Sequence, residues 1–227
     1  MCGRYAITLP PDAMAQLFRA QPANDLPDVP DYNVCPTNRV HVVTGGGDDT
    51  PRQLVPMRWG LIPHWYRKEN GGPLLINARA ETVAEKPAFR EAVRKRRALA
   101  VTSGFYEWTL SNDGGKDPWF ITRTDGAPLV IAAIWQYWTP KDGDRLATCA
   151  LVTTAANQTM RRIHDRMPVI LDPDDWPLWL GEAGQGAARL MRGAREDALR
   201  MHRVDRAVNS NRASGPELIE PLDGPDD

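Results

Sequence analysis

The sequence predicts an α+β fold: one domain with a curved, mainly antiparallel, barrel-like β-sheet core and peripheral helices. Three observations carry this. Apolar runs of strand length recur along most of the chain, and short Gly- and Asp-rich tracts join neighbouring runs as hairpins. The helical periodicities are few, short and scattered, which is not the regular alternation of a βαβ fold. At 227 residues, with no internal repeat and no shift in composition, the chain is expected to form a single domain over 1–222. Residues 216–227 are rich in Pro and Asp and read as a tail, with 223–227 as its disordered acidic end.

Each element follows from local pattern. Residues 11–20 open with Pro and Asp and set Met14, Leu17 and Phe18 on one face, the signature of an amphipathic helix. Residues 21–38 read as a proline-broken loop. Val40 to Thr44 and 52–59 read as strands joined by a hairpin through Gly45–Gly47, Asp48 and Asp49. The apolar strand 74–76 delivers Asn77 to Thr82. Residues 87–97 read as a basic helix started by Pro87, its charge fitting a solvated face. Ala98 to Thr102 is a buried strand, and Asn112 to Lys116 turns between strands near 105–110 and 118–123. Further strands are expected at 129–137, 147–154, 169–171 and 199–204, with short helical or turn segments near 156–163, 174–180 and 185–193.

Composition excludes several classes. The chain has no apolar run of membrane-spanning length and no basic-then-apolar leader, so neither a membrane partner nor a signal peptide is expected. Three widely spaced cysteines, Cys2, Cys35 and Cys149, fit a reducing, cytoplasmic setting. Four histidines without an HxxxH pair or a CxxC give no support to a metal site, and no cofactor is expected. The glycine tract at 45–47 lacks the Lys-Ser/Thr of a phosphate-cradling loop, and Ser103 is not in a GxSxG elbow. A net charge of −1 argues against coating nucleic acid through bulk charge. Only five of the 28 basic residues are lysines, however, and arginine grips phosphate and stacks on bases better than lysine does. A GC-rich coding bias would produce the same excess. The eight tryptophans divide between core and candidate stacking platforms.

The stretch of greatest chemical interest is Met1-Cys2-Gly3-Arg4. Removal of Met1 would leave a free α-amine and a thiol on adjacent carbons, with ordinary pKa values of about 8 and about 8.5. A 1,2-aminothiol condenses with an aldehyde to an imine, and sulfur then closes on the same carbon to give a thiazolidine. With Met1 retained, the nitrogen of Cys2 is an amide and this chemistry is closed. A lone cysteine at a frayed terminus is the competing reading. Elsewhere, polar residues stand where apolar strands are expected to end: Asn77, Arg79, Glu107, His164 and Arg166. Glu107, between Tyr106 and Trp108, reads either as a partly buried carboxyl of raised pKa, suited to proton transfer, or as the partner of an arginine. His164 reads as a structural imidazole or an exposed acid/base.

Seven segments, taken together and in order, resemble the SRAP (SOS response-associated peptidase-like) family, whose members shield abasic sites in single-stranded DNA. They are MCGRY (1–5), YNVCPTN (32–38), MRWGLIPHW (57–65), INARAET (76–82), SGFYEW (103–108), CALVTTAAN (149–157) and IHDRMPVIL (163–171), with a weaker echo over 208–222. The resemblance implies a curved antiparallel sheet fold and a DNA-damage function. It implies Cys2 as the nucleophile that forms a thiazolidine with the ring-opened abasic sugar, and Asn77 as the residue that orients the terminus. Glu107 is implied as the acid/base for ring opening and the amine proton, and His164 as the proton shuttle in imine formation and reversal. Arg79, Arg166 and Arg4 are implied to grip phosphates, and Trp65 to stack as a wedge at a duplex–single-strand junction. The implied protein acts as a monomer, in the cytoplasm and at damaged DNA in the nucleoid, with abasic single-stranded DNA as its partner. Cys35 stands where alanine, Asn38 where glutamine and Thr102 where proline are usual in the family. Two other functional classes compete with covalent capture: an N-terminal-nucleophile autopeptidase, and a non-covalent single-strand binder relying on Trp65 and the arginines.

Overall fold

The computed structural model describes residues 2–46, 50–141 and 143–222. Met1, part of the 45–49 turn tract and the expected tail 223–227 lie outside the described residues. The chain runs through β1 (Tyr5–Ile7), α1 (Pro11–Phe18), β2 (Ala20–Pro22), β3 (Asp31–Val34), β4 (Arg39–Thr44), β5 (Arg52–Trp59) and β6 (Asn77–Arg79). Next come α2 (Arg90–Lys95), β7 (Arg97–Thr102), β8 (Gly104–Leu110), β9 (Lys116–Arg123), β10 (Leu129–Trp138) and β11 (Leu146–Ala155). Then follow α3 (Gln158–Arg161), β12 (Arg166–Pro168), α4 (Trp176–Leu180) and β13 (Leu199–Arg203). Short 3-10 turns at Pro173–Asp175, Ala187–Leu190, Arg206–Asn209 and Pro216–Ile219 fill the C-terminal third.

Two sheets result, and the expected α+β class with a mainly antiparallel, barrel-like core is what the chain adopts. The first sheet has the order β13-β9-β8-β1-β3. The second runs β12-β11-β10-β7-β4-β5-β2, with β6 joined to β11. A parallel pairing of Thr148 and Cys149 with Arg58 and Trp59 brings β5 back to β11. The path β11-β10-β7-β4-β5 therefore closes on itself, which removes its free edges. Closure explains why β7 and β10 read as nearly continuous apolar runs: every residue of Ala98–Thr102 and Leu129–Ile134 is buried. One face fills the barrel and the other lies under helices. Trp179 of α4 covers β7, its indole N–H donating to Ala98 O at 2.8 Å, and Phe18 of α1 packs on Trp176 with ring centroids 4.5 Å apart.

The chain crosses from the barrel to the first sheet between β7 and β8, through Ser103 alone. Ser103 N donates to Ala6 O, and its hydroxyl oxygen accepts from Thr8 N, both at 2.8–2.9 Å. Gly104 follows because nothing larger fits: a Cβ there would lie 2.5 Å from the Phe120 ring and 2.7 Å from Ile121 O. A second small core forms beyond this crossing. Val204, Val208 and Leu218 of the C-terminal segment pack with Ala6, Tyr106 and Phe120.

Several local expectations are corrected. The 21–38 loop contains β2 and β3, both edge strands, where proline is tolerated because one row of backbone groups needs no partner. The strand expected at 74–76 is displaced to Asn77–Arg79, so Asn77 and Arg79 lie within β6. The basic helix covers only Arg90–Lys95 and does not start at Pro87. Glu107 sits in the middle of β8, not at its end. The strand expected at 169–171 becomes β12 at Arg166–Pro168. Beyond it Val169 N bonds to Val152 O and Leu171 N to Val130 O, so the segment steps from β11 to β10 and no continuous ladder forms. The stretch from 216 to 222 is not a loose tail: Leu218 is buried and Leu222 N donates to Arg203 O. Among the described residues, no helix is long and apolar enough to cross a membrane.

Burial also traps acidic protons. Desolvation raises the thiols of Cys2 and Cys149 and the phenols of Tyr5 and Tyr106 above their ordinary values, Cys149 to about 12. In the unfolded chain thiols titrate near 8.5 and phenols near 10, roughly. Above about pH 8 the folded chain therefore holds more protons than the unfolded one, and stability falls as pH rises. The urea midpoint is expected to be level up to about pH 8 and lower at about pH 10, with a smaller drop in Cys149→Ala. A midpoint unchanged to that pH in both proteins would contradict this account.

Candidate functional site

Cys2 is completely buried at the head of an interior strand, not frayed at the surface. β1 lies between β8 and β3, and Tyr106 N donates to Arg4 O at 2.9 Å, so the backbone is already fixed at Arg4. From the other sheet, Asn77 Nδ2 donates to Cys2 O at 2.8 Å. Asn77 is placed by β6, which runs parallel to β11 with Asn77 opposite Leu151. The carbonyl of Ile76, just before it, accepts from both Leu151 N at 2.9 Å and the indole of buried Trp59 at 3.0 Å. Tyr5 packs on that same indole, centroids 5.2 Å apart. Asn77 is thus anchored to the barrel core, and its buried Oδ1 accepts no hydrogen bond among the described residues.

Glu107 is 3% exposed and projects from mid-β8. Burial, and behind it the charge of Glu107, holds the Cys2 thiol far above the ordinary range. His164 follows α3, whose N-cap Asn157 accepts from Met160 N at 2.9 Å while its amide donates to Ala194 O and Arg195 O. His164 N then bonds to Met160 O, closing the turn. His164 Nδ1 stands 2.9 Å from both Arg166 N and the Asp165 carboxylate. One ring nitrogen cannot accept from the first and donate to the second. The backbone N–H can only donate, so the neutral ring carries its proton on Nε2.

The cationic residues differ in availability. Arg79 is exposed and makes no side-chain ion pair or hydrogen bond among the described residues. Arg4 donates to Asn33 Oδ1 at 2.7 Å and Val208 O at 2.9 Å, and lies over the Trp108 ring at 5.8 Å. Arg166 is already engaged: its fork meets both oxygens of Glu81 at 2.7 and 2.9 Å, and it donates to Thr153 O at 2.8 Å. That contact holds the half-exposed Glu81 carboxyl below its usual range. Trp65, 48% exposed, lines a cavity of about 550 Å³ with Asn77, Arg79, Lys86 and Phe89. A second cavity of about 400 Å³ is lined by Gly3, Arg4, Trp108, Lys116 and Asn209. Cys2 itself is on neither wall: its carbonyl is bonded by Asn77, which lines the first cavity, and it is joined to Gly3, which lines the second.

Of the eight residues singled out in the sequence, Cys2 and Asn77 share a hydrogen bond, Trp65 and Arg79 share a cavity wall with Asn77, and Arg4 lines the second cavity, while Glu107, His164 and Arg166 are placed by β8, the α3 turn and β12. The structure also adds residues that sequence reading passed over. Trp108 was legible as the neighbour of Glu107 but carried no assigned task. Asn33 was hidden in a proline-rich segment. Its amide donates to Ser210 O and Ala213 O, tying the C-terminal segment to Arg4. Asn38 and Cys35 have local roles: Cys35 N donates to Asn38 Oδ1 at 2.8 Å across a turn in which Thr37 has φ +77°, and the Cys35 thiol donates to Asn33 O at 3.2 Å.

Comparison with known proteins finds relatives along almost the whole chain. The chain is 34% identical over 226 residues to the abasic site processing protein YoqW of Bacillus subtilis, covering 97% of this chain and 99% of that one. It is 34% identical over 231 residues to the abasic site processing protein YedK of Escherichia coli, covering 98% and 100%. It is 29% identical to the abasic site processing protein HMCES of Rattus norvegicus, covering 98% of this chain and 76% of that longer one. A solved structure from Bacteroides thetaiotaomicron superposes with a TM-score of 0.85 at 25% identity, covering 97% of this chain and all of that one. The profile of the SOS response associated peptidase (SRAP) family matches residues 1–211, and the chain belongs to that family.

Proposed function

We propose that this protein processes abasic sites by capturing them covalently in single-stranded DNA at Cys2, once Met1 has been removed. The observation that supports this is the hold on Cys2: its carbonyl is bonded by Asn77, which lines one cavity, and its neighbour Gly3 lines another, both cavities bearing Arg, Lys and Trp. The relatives' names support the substrate class.

The chemistry follows from the side chains. With the thiol held protonated by burial, the α-amine is the first nucleophile. It adds to the C1′ aldehyde of the ring-opened sugar, and the carbinolamine expels water to leave an imine. The thiol then adds to the imine carbon: a C–S bond forms, the S–H proton passes to nitrogen, and a thiazolidine results with the net loss of one water. Glu107 receives the amine proton as nitrogen attacks and assists opening of the sugar ring. His164, with its proton on Nε2, protonates the departing hydroxyl and reverses that step when the adduct opens. Asn77 fixes the terminus, and its unsatisfied Oδ1 is an acceptor for the freed amine. Arg79 and Arg4 hold flanking phosphates, and Trp65 stacks on a base at the single-strand boundary. Arg166 meets a phosphate only in competition with Glu81. Before sulfur closes the ring, the imine can promote β-elimination of the 3′ phosphate, which is lyase chemistry. Peptide hydrolysis would need a resident thiolate, which a thiol held protonated by burial does not supply.

Intact mass after incubation with a single-stranded oligonucleotide bearing one abasic site is the direct test. The expected species is protein without Met1, plus DNA, minus one water, stable to denaturation. Cys2→Ala, which keeps an α-amine, is expected to lose the stable adduct while retaining strand cleavage. A stable adduct in Cys2→Ala would refute the thiazolidine. Equal, purely reversible binding of damaged and undamaged strands would favour the non-covalent reading.

Glu81→Gln removes the charge that occupies Arg166 and is expected to tighten binding of undamaged single strands by roughly 3-fold at low salt. An affinity unchanged or weakened in fluorescence anisotropy would show that Arg166 does not meet phosphate.

A further inference from the structure

Beside Trp65 lies a cavity that the reaction does not use. It measures about 370 Å³ and is lined by His64, Glu91, Arg96, Gln136, Tyr137 and Arg145. It adjoins the site through one aromatic contact: His64, on its wall, meets the ring of Trp65 edge-on at 4.9 Å. Tyr137 is 40% exposed, and Trp135 meets its ring edge-on at 5.0 Å. The Arg145 guanidinium carbon lies 3.4 Å from the Tyr137 ring centroid. A guanidinium stacked on a ring keeps its N–H groups directed outward in its own plane, where a phosphate can accept from them.

Charge accounting identifies the kind of occupant. The one carboxylate on the wall, Glu91, is claimed by Arg96 at 3.2 Å. Arg96 is itself oriented by donating from Nε to Trp135 O at 3.2 Å. Arg145 has no ion pair among the described residues, so the cavity has an excess positive charge next to an exposed aromatic face. Exposed aromatic rings beside arginine forks form the pattern that tracks a single strand, with stacking on bases and ion pairing to phosphates.

We propose that the DNA strand continues past Trp65 into this cavity, where Arg145 binds a backbone phosphate and the Tyr137 face supports the adjoining base. The inference rests on the single-strand reading above and extends it to a second subsite remote from Cys2. It predicts a dependence on strand length. Short strands end at Trp65, and only longer ones reach Arg145.

The test uses the processed full-length protein and undamaged oligodeoxythymidylates of about 4 and about 16 nucleotides. Affinity is read by fluorescence anisotropy across a salt series. For the long strand, Arg145→Ala is expected to weaken binding by about 5-fold and to reduce the slope of log K against log salt by about 0.7. For the short strand it is expected to change neither. Tyr137→Ala is expected to weaken only long-strand binding, with a smaller change in slope, and Arg145→Lys to keep the slope. Both positions are exposed enough for unchanged thermal melting to be checked alongside. An Arg145→Ala effect equal on both lengths, or absent on both, overturns the proposal. Adduct formation at saturating abasic strand is measured in parallel and is expected to be unaffected by Arg145→Ala. If the wild type forms no adduct, covalent capture fails, while the length comparison still decides this surface.

Discussion

The structure depends on where its first strand lies. β1 is only three residues long, yet it is an interior strand of its sheet, paired with β8 on one side and β3 on the other. Chain ends ordinarily fray because few contacts restrain them. Here the backbone bonds from Ser103 N to Ala6 O and from Tyr106 N to Arg4 O remove that freedom before the chain reaches Gly3. Asn77 adds a restraint from the other sheet at Cys2 itself. A residue near a chain end ordinarily keeps much of its conformational freedom; Cys2 has lost it on folding.

That constraint explains why two sheets are needed. Cys2 and Glu107 come from neighbouring strands of the first sheet, Asn77 from a short strand attached to the barrel, and His164 from the turn before β12. The barrel is rigid because β5 returns to β11, and the Trp59 indole transmits that rigidity to the carbonyl just before Asn77. The C-terminal segment completes the other flank. Asn33 bonds at once to Arg4, Ser210 and Ala213, so the C-terminal segment is tied to the chain beside Cys2.

Electrostatics within the site separate tasks among similar residues. Of the three arginines that the sequence singled out, Arg79 is unengaged, Arg4 is held by neutral acceptors, and Arg166 is neutralised by a bidentate carboxylate. Only the first two offer their charge without a competing anion. A near-zero net charge is thus compatible with a cationic surface, because many arginines elsewhere are consumed by partners such as Asp125, Asp172 and Asp117.

The sequence by itself determined the fold class and most of the strands. Strand signals survive without context where both faces are buried, as at Leu99 to Val101 and Leu129 to Ile134, since the apolar run is then unbroken. Short edge strands were not legible. At Asp31–Val34 the proline-rich composition says loop, and only pairing with β1 makes a strand of it. The same limit hid the exact position of Asn77, whose three-residue strand exists because β11 offers it an edge. What only the tertiary structure decided is which charges are free and how the terminus is held. Residue type fixes what Arg166, Glu81, Asn33 and Cys2 are able to do. Their partners lie tens of residues away or more, and only folding brings a donor and an acceptor within 3 Å.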